Sequence, residues 1–281
     1  MKLDAHQHFW NYTPDEYPWI DRPREIIARD YLPPDLEPLL RATGFDGCIA
    51  VQARQTLDET RWLLKLAETN PIIKGVIGWV DLRSAQVESQ LRELSVQPLL
   101  VGVRHVVQDE VDDEFMLQSD FVRGIEVLAE FNLAYDILVF PKQLPAAIKL
   151  AKKFPAQRFV LDHIGKPLIK DGIFSPWRED IRELAHHGNI SCKVSGIITE
   201  ANWSSWEAED IAPYFDTVFE SFDEDRLIFG SDWPVCLLAG SYRSVFQLAR
   251  DYLRQFSSSA QDKFFGLNAT NVYNLSVPAA G

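Results

Sequence analysis

The sequence predicts an α/β protein built as a single (β/α)8 TIM barrel, and three observations carry that expectation. Eight short β-rich apolar runs recur along the 281 residues, interleaved with longer amphipathic stretches. No Gly/Ser-type or Pro-type linker divides the chain, so residues 1–281 read as one domain of the size that α/β barrels commonly occupy. The runs Cys48-Ile49-Ala50-Val51 and Leu227-Ile228-Phe229 are apolar without alternation, as in parallel strands covered on both faces. The competing doubly wound sheet finds no support, because no GxGxxG or Gly-rich turn follows an early strand.

In chain order, strands are predicted near Leu3–His6, Gly47–Gln52, Ile73–Trp79, Leu99–Arg104, Ala134–Val139, Arg158–Leu161, Ile190–Val194 and Leu227–Phe229. The first connection, from His8 to Phe45, is long and rich in Pro and aromatics, including Trp10, Tyr17, Trp19 and Tyr31. Such loops on a barrel serve as lids or substrate walls. Helices are predicted over Asp58–Thr69, Phe115–Phe131, Gln143–Phe154, Pro176–His187 and Tyr242–Phe256. In the second of these, Phe121, Val122, Ile125, Leu128 and Ala129 form one stripe, with Arg123, Glu126 and Glu130 opposite. Pro176 and Pro155 stand where a helix starts and where one stops.

Lys and Arg number 28 against 41 Asp and Glu, a formal charge of −13. Neither nucleic acid nor an anionic membrane is expected as the main partner, because both repel an acidic surface. No run reaches the roughly 18 unbroken apolar residues of a membrane span. Met1-Lys2-Leu3-Asp4 brings in an acid where a signal peptide has its apolar region, so a cytoplasmic location is expected. Cys48, Cys192 and Cys236 form no CxxC pair and suggest neither a disulfide framework nor a thiolate zinc site. The oligomeric state is not specified.

In a barrel, reactive residues belong at the C-terminal ends of the strands, and four of the six histidines fall there. On an extended strand i and i+2 share a side, so His6 and His8 of Asp4-Ala5-His6-Gln7-His8 present both imidazoles to one cavity. Asp232, at the end of a last strand that adjoins the first, adds a carboxylate. Two imidazoles and a carboxylate suit one divalent metal ion, zinc by donor type. Asp232 is also placed to take a proton from an attacking water. The plainer readings are a polar rim for the histidines and a loop cap for Asp232.

His163 is a further ligand or a proton donor, and Lys166 a holder of a carbonyl oxygen or a hydroxyl, unless Asp162, His163 and Lys166 only brace a loop. Arg104 is the natural oxyanion stabiliser, with His105 beside it. Gln52 ends the second strand. Trp79, Trp10 and Trp233 fit a sugar-stacking wall, although large aromatics are more often packing. No GxSxG elbow and no GxxxxGK[ST] loop occurs.

Asp4-Ala5-His6-Gln7-His8-Phe9-Trp10, Tyr17-Pro18-Trp19, Asp162-His163-Ile164-Gly165-Lys166-Pro167 and Gly230-Ser231-Asp232-Trp233-Pro234 together resemble the amidohydrolase superfamily, in its amidohydrolase-2 branch. Val51-Gln52-Ala53-Arg54 and Val103-Arg104-His105 extend the resemblance toward sugar-lactone hydrolases of the L-fuconolactonase and L-rhamnonolactonase type. That resemblance implies hydrolysis of a sugar-acid 1,4-lactone to the aldonate, with ligand roles for His6, His8 and Asp232. Many members carry a bridging Lys or Glu at the fourth strand and a His at the fifth. Arg104 and Asp136 stand at those strands here, which implies one ion rather than a bridged pair. The alternatives are a metal-dependent decarboxylase on the same fold and a non-catalytic binding protein.

Overall fold

The computed structural model describes residues 1–275 and forms a (β/α)8 barrel. Residues 276–281 of the domain expected over the whole chain lie outside the described residues. The strands are β1 (Leu3–Gln7), β2 (Gly47–Val51), β3 (Ile73–Gly78), β4 (Leu100–His105), β5 (Ala134–Ile137), β6 (Phe159–Leu161), β7 (Ile190–Val194) and β8 (Leu227–Phe229). They pair in parallel in the order β1 to β8. The expected strands at Ile190–Val194 and Leu227–Phe229 match at both ends. The fifth stops two residues early, where Leu138, Val139 and Phe140 turn toward the 310 segment at Pro141.

The helices are α1 (Pro33–Thr43), α2 (Leu57–Thr69), α3 (Val87–Leu94), α4 (Ser119–Glu130), α5 (Leu144–Lys153), α6 (Trp177–Ala185), α7 (Ile197–Glu200), α8 (Ala208–Ser221), α9 (Tyr242–Leu253), α10 (Ser258–Asp262) and α11 (Asn268–Val272). The stretch expected as one helix over Phe115–Phe131 divides into a 310 turn at Phe115–Leu117 and α4. Local chemistry sets several ends. Thr56 caps α2 by accepting from the Glu59 amide at 3.1 Å, and Gly44 ends α1 in the left-handed region at φ 79°.

The apolar residues form two clusters. A larger one lies between strands and helices, and a smaller one fills the barrel interior with Leu3, Ala5, Ile49, Val51, Ile77, Val101, Val160 and Ile228. Ala269 and Tyr273, from α11 and its end, join the interior cluster and close that end of the barrel. At the other end, β8 reaches β1 through single contacts. Asp232 N–H donates to the His6 carbonyl at 2.8 Å, and His8 N–H donates to the Trp233 carbonyl at 2.7 Å. Beneath them the buried Asp4 carboxylate accepts from the Ser231 amide and hydroxyl at 2.9 and 2.6 Å. All three cysteines are free and buried. Among the described residues, no helix is long and apolar enough to cross a membrane.

Candidate active site

β1 delivers the two imidazoles to one side of the barrel mouth, and the loop after β8 delivers the carboxylate. Asp232 Oδ1 lies 3.8 Å from His6 Nε2 and 3.4 Å from His8 Nε2. His8 Nδ1 lies 2.8 Å from the Val51 carbonyl, which only accepts, so Nδ1 carries a proton. Nε2 then faces the Asp232 carboxylate at 3.4 Å, a gap that a proton or a metal ion can bridge. The three donor atoms fall within 4.8 Å of one another, so the donor set fits a divalent ion in type and spacing. A second group, His6, Asp162 and His163, meets the same spacing.

His6 is fully buried. Burial holds it well below the ordinary imidazole range; Asp162 opposes that shift, while Lys193 and Arg104 reinforce it. Arg104 Nη1 lies 3.3 Å from His6 Nε2 and 2.9 Å from Asp162 Oδ2, and Gln52 receives the other guanidinium nitrogen on its carbonyl and side-chain oxygens. Lys193 pairs with Asp136 and, at 3.1 Å, with Asp162; Tyr273 donates its hydroxyl to Asp136 at 2.9 Å. Two cations and two carboxylates are thus packed behind His6 with His6 itself neutral. Burial alone would raise Asp162, yet Lys193, His6 and Arg104 outweigh it and hold the carboxyl well below the usual range.

The backbone after β6 runs through the left-handed region for four residues, with φ of 53° at His163, 49° at Ile164, 72° at Gly165 and 49° at Lys166. A β-branched residue there is a true outlier, and such strain persists only where surroundings impose it. The Trp177 indole donates to the Ile164 carbonyl at 2.8 Å and holds the turn. Asp232 is also left-handed, at φ 56°. The two segments meet at Gly196, itself at φ 61°. A Cβ at Gly196 would lie 2.5 Å from His163 Nδ1 and 3.2 Å from Asp232 Oδ2, so only glycine fits. His163 Nδ1 also lies 3.0 Å from the Ser195 hydroxyl, and burial holds the ring well below its ordinary pKa. Asp232 is raised by burial, but His163, His8 and Lys166 more than offset this and leave it below the usual carboxylate range.

A cavity of about 950 Å³ opens above these groups, lined by His8, Arg104, His163, Lys166 and Asp232. His6 and Gln52 stand behind that lining. The aromatic wall expected from Trp10, Trp79 and Trp233 is not among its lining residues. Trp10 is fully buried against Tyr17, Trp19 and Tyr31, and Trp233 packs on Tyr31 and Phe9. Trp79 and His105 face one another at 3.4 Å, and His105 is further occupied by Glu110 at 2.8 Å and the Phe115 ring. Trp10 and Trp233 thus found enough apolar neighbours to leave the rim, whereas half-buried Trp79 turns to His105. Trp19, Phe140 and Trp203 line the cavity instead.

Sequence reasoning also missed Glu200, which closes α7 on the cavity wall, and gave no role to Arg54 of the Val51-Gln52-Ala53-Arg54 motif, which is paired with Glu16 there. Glu200 sits in a four-residue helix without periodicity, so no pattern marked it. Asp162 and Asp136 stood out in the sequence, but their pairing through Lys193 did not.

The family model described as Amidohydrolase matches residues 3–275. A Burkholderia multivorans protein named L-fucono-1,5-lactonase is 40% identical over 290 residues, covering 99% of this chain and 98% of that protein. A Burkholderia ambifaria protein of the same name is 36% identical, over 99% of this chain and 97% of its own length. A crystal structure of a Burkholderia multivorans amidohydrolase with bound zinc superposes with a TM-score of 0.95 at 40% identity, covering 98% of this chain and all of that one.

Proposed function

Because the chain belongs to the amidohydrolase family, we propose that its cavity hydrolyses sugar lactones to the open aldonate. The observation that carries this reading is that one carboxylate held below its usual range, Asp232, and the Arg104 guanidinium line the same cavity, of sugar size or larger. Full-length relatives named L-fucono-1,5-lactonase at 36–40% identity support L-fuconolactone as the substrate. Their names favour the six-membered 1,5 ring over the five-membered 1,4 ring expected from the sequence.

Asp232, held ionised at neutral pH, accepts a proton as water attacks the ring carbonyl. Arg104 supplies fixed positive charge to the developing oxyanion, and His163 adds an N–H on the same side. Collapse breaks the ring C–O bond, and the proton held on Asp232 passes to the leaving alkoxide. Water is thereby added across the ester and the site returns to its starting charge. His6, His8 and Asp232 would hold one divalent ion, zinc by donor type, which when bound lowers the pKa of water and polarises a carbonyl.

The test is acid release, read with a pH indicator, from L-fucono-1,5-lactone, L-fucono-1,4-lactone and L-rhamnono-1,4-lactone. Fastest turnover of an L-fucono ring supports the reading, and the ratio of the two rings decides between them. Silence on all three above spontaneous hydrolysis overturns it. Prior chelation tests the ion separately. A fall in rate supports the ion, whereas an unchanged rate leaves the reaction to Asp232, Arg104 and His163.

A further inference from the structure

One charged pair on the cavity wall takes no part in the ester chemistry above. Lys166 follows β6, Glu200 closes α7, and Lys166 Nζ lies 3.4 Å from Glu200 Oε1. Both side chains are about four-fifths buried, at 18% and 20% exposure, and both line the cavity. That separation exceeds the roughly 2.7–2.9 Å of a tight charge-assisted hydrogen bond, so each group keeps room for another partner. The Phe140 ring lies 5.5 Å from the ammonium and limits its movement on that side.

The backbones that carry the pair are fixed independently of it. Lys166 N–H donates to the His163 carbonyl at 2.8 Å. On the other side, the Thr199 hydroxyl donates to the Gly196 carbonyl at 2.7 Å, and the Trp203 indole donates to the Thr199 carbonyl at 2.8 Å. A loop brace is therefore not what the pair adds. Lys166 and Glu200 line the same cavity as Asp232. An ammonium and a carboxylate side by side match two neighbouring hydroxyls, one accepting from the lysine and the other donating to the glutamate.

Resting on the lactone reading, we propose that Lys166 and Glu200 read two adjacent hydroxyls of the substrate ring. The enzyme then selects polyhydroxylated lactones over plain cyclic esters. Groups that align a vicinal diol on a pre-organised wall add binding energy without touching the scissile bond.

The experiment compares kcat/KM for L-fucono-1,4-lactone and for γ-butyrolactone, which has the same ring without hydroxyls, in the wild type and in Glu200→Gln. Losing one charged hydrogen bond to a hydroxyl is expected to lower the preference for the sugar lactone by about 10- to 100-fold, chiefly through KM. Lys166→Met is expected to act in the same direction. A preference ratio within twofold of the wild type in both variants overturns the inference. If the variants fold poorly, the wild type still decides with 2-deoxy and 3-deoxy aldono-1,4-lactones. Equal kcat/KM for both of these and the parent overturns the inference, and a drop of about tenfold on either supports it. If the wild type opens none of these five-membered rings but opens L-fucono-1,5-lactone, the same ratio is read against δ-valerolactone with the same criteria, and failure on L-fucono-1,5-lactone as well overturns the lactone reading itself.

Discussion

The two sides of His6 use similar residue types to opposite ends. Behind it, Lys193, Arg104, Asp136 and Asp162 balance two positive against two negative charges, with Tyr273 donating to Asp136, and Lys193, Asp136 and Asp162 do not line the cavity. In front of it, Asp232 faces His8, His163 and open volume, with hydrogen-bonding capacity left over. The buried side is an array of charges that pair with one another, so its contribution is position. The cavity side is left short of partners, and a substrate completes it. Arg104 spans both, with one face on Asp162 and His6 and an edge on the cavity.

That contrast breaks most sharply at Asp232. Asp232→Asn is expected to lower kcat on the lactone by about 10²–10⁴-fold while leaving thermal unfolding close to wild type. Full activity in this variant would assign the proton transfer elsewhere. Lys193→Met should behave in the reverse manner. It leaves two buried carboxylates short of a counter-ion and should destabilise the fold by about 3–5 kcal/mol in urea unfolding. Unchanged stability would mean that the array is not held by its charges.

Gly196 joins the two sides, and its replacement sharpens the comparison. Gly196→Ala forces a Cβ against His163 and a non-glycine residue into the left-handed region, at about 1–3 kcal/mol of strain. Loss of lactone turnover beyond the loss of folded protein is expected, and parallel losses of both would make the position merely structural.

The smallest effect concerns Glu59, buried beside the cavity loop, where it accepts from the Ala53 and Arg54 amides at 3.0 and 2.7 Å. Burial raises its pKa from 4.5 to about 7, against the opposing amide bonds and Arg54. A raised carboxyl stabilises the fold below 4.5, and that contribution is lost as pH rises through about 7. Relative to wild type, Glu59→Gln should therefore gain stability between those pH values in denaturant titrations. A difference that does not change with pH would remove Glu59 from the account.

The barrel was legible because unalternated apolar runs and the spacing of helices do not depend on which neighbour covers them. β2 and β8 carry such runs. α1 was hidden inside the first connection, since Pro33, Pro34 and Pro38 look like loop residues when read singly, yet Pro33 and Pro34 occupy the first turn, where a missing N–H does no harm. His6, His8, Arg104, His163, Lys166 and Asp232 were found because strand ends converge in a barrel whatever the loops do. The tryptophans were misplaced for the opposite reason. Whether Trp10 or Trp19 faces the cavity depends on how the first connection folds back, and no periodicity reports that. Glu200 was missed because it ends a four-residue helix held by the bonds of Thr199 to Gly196 and Trp203, which no sequence pattern marks.

The junction of β8 with β1 sets a timetable for making the enzyme. Asp4 and Ser231, which bond directly, stand 227 residues apart, and the histidines of β1 wait on Asp232 across nearly the same distance. A chain emerging from the ribosome exposes its HxH motif long before Asp232, which follows only after the last strand. Contacts of such long sequence separation close late in folding. Partial chains lacking β8 would therefore hold the imidazoles without the carboxylate beside them, and activity during synthesis would switch on only after β8 is in place.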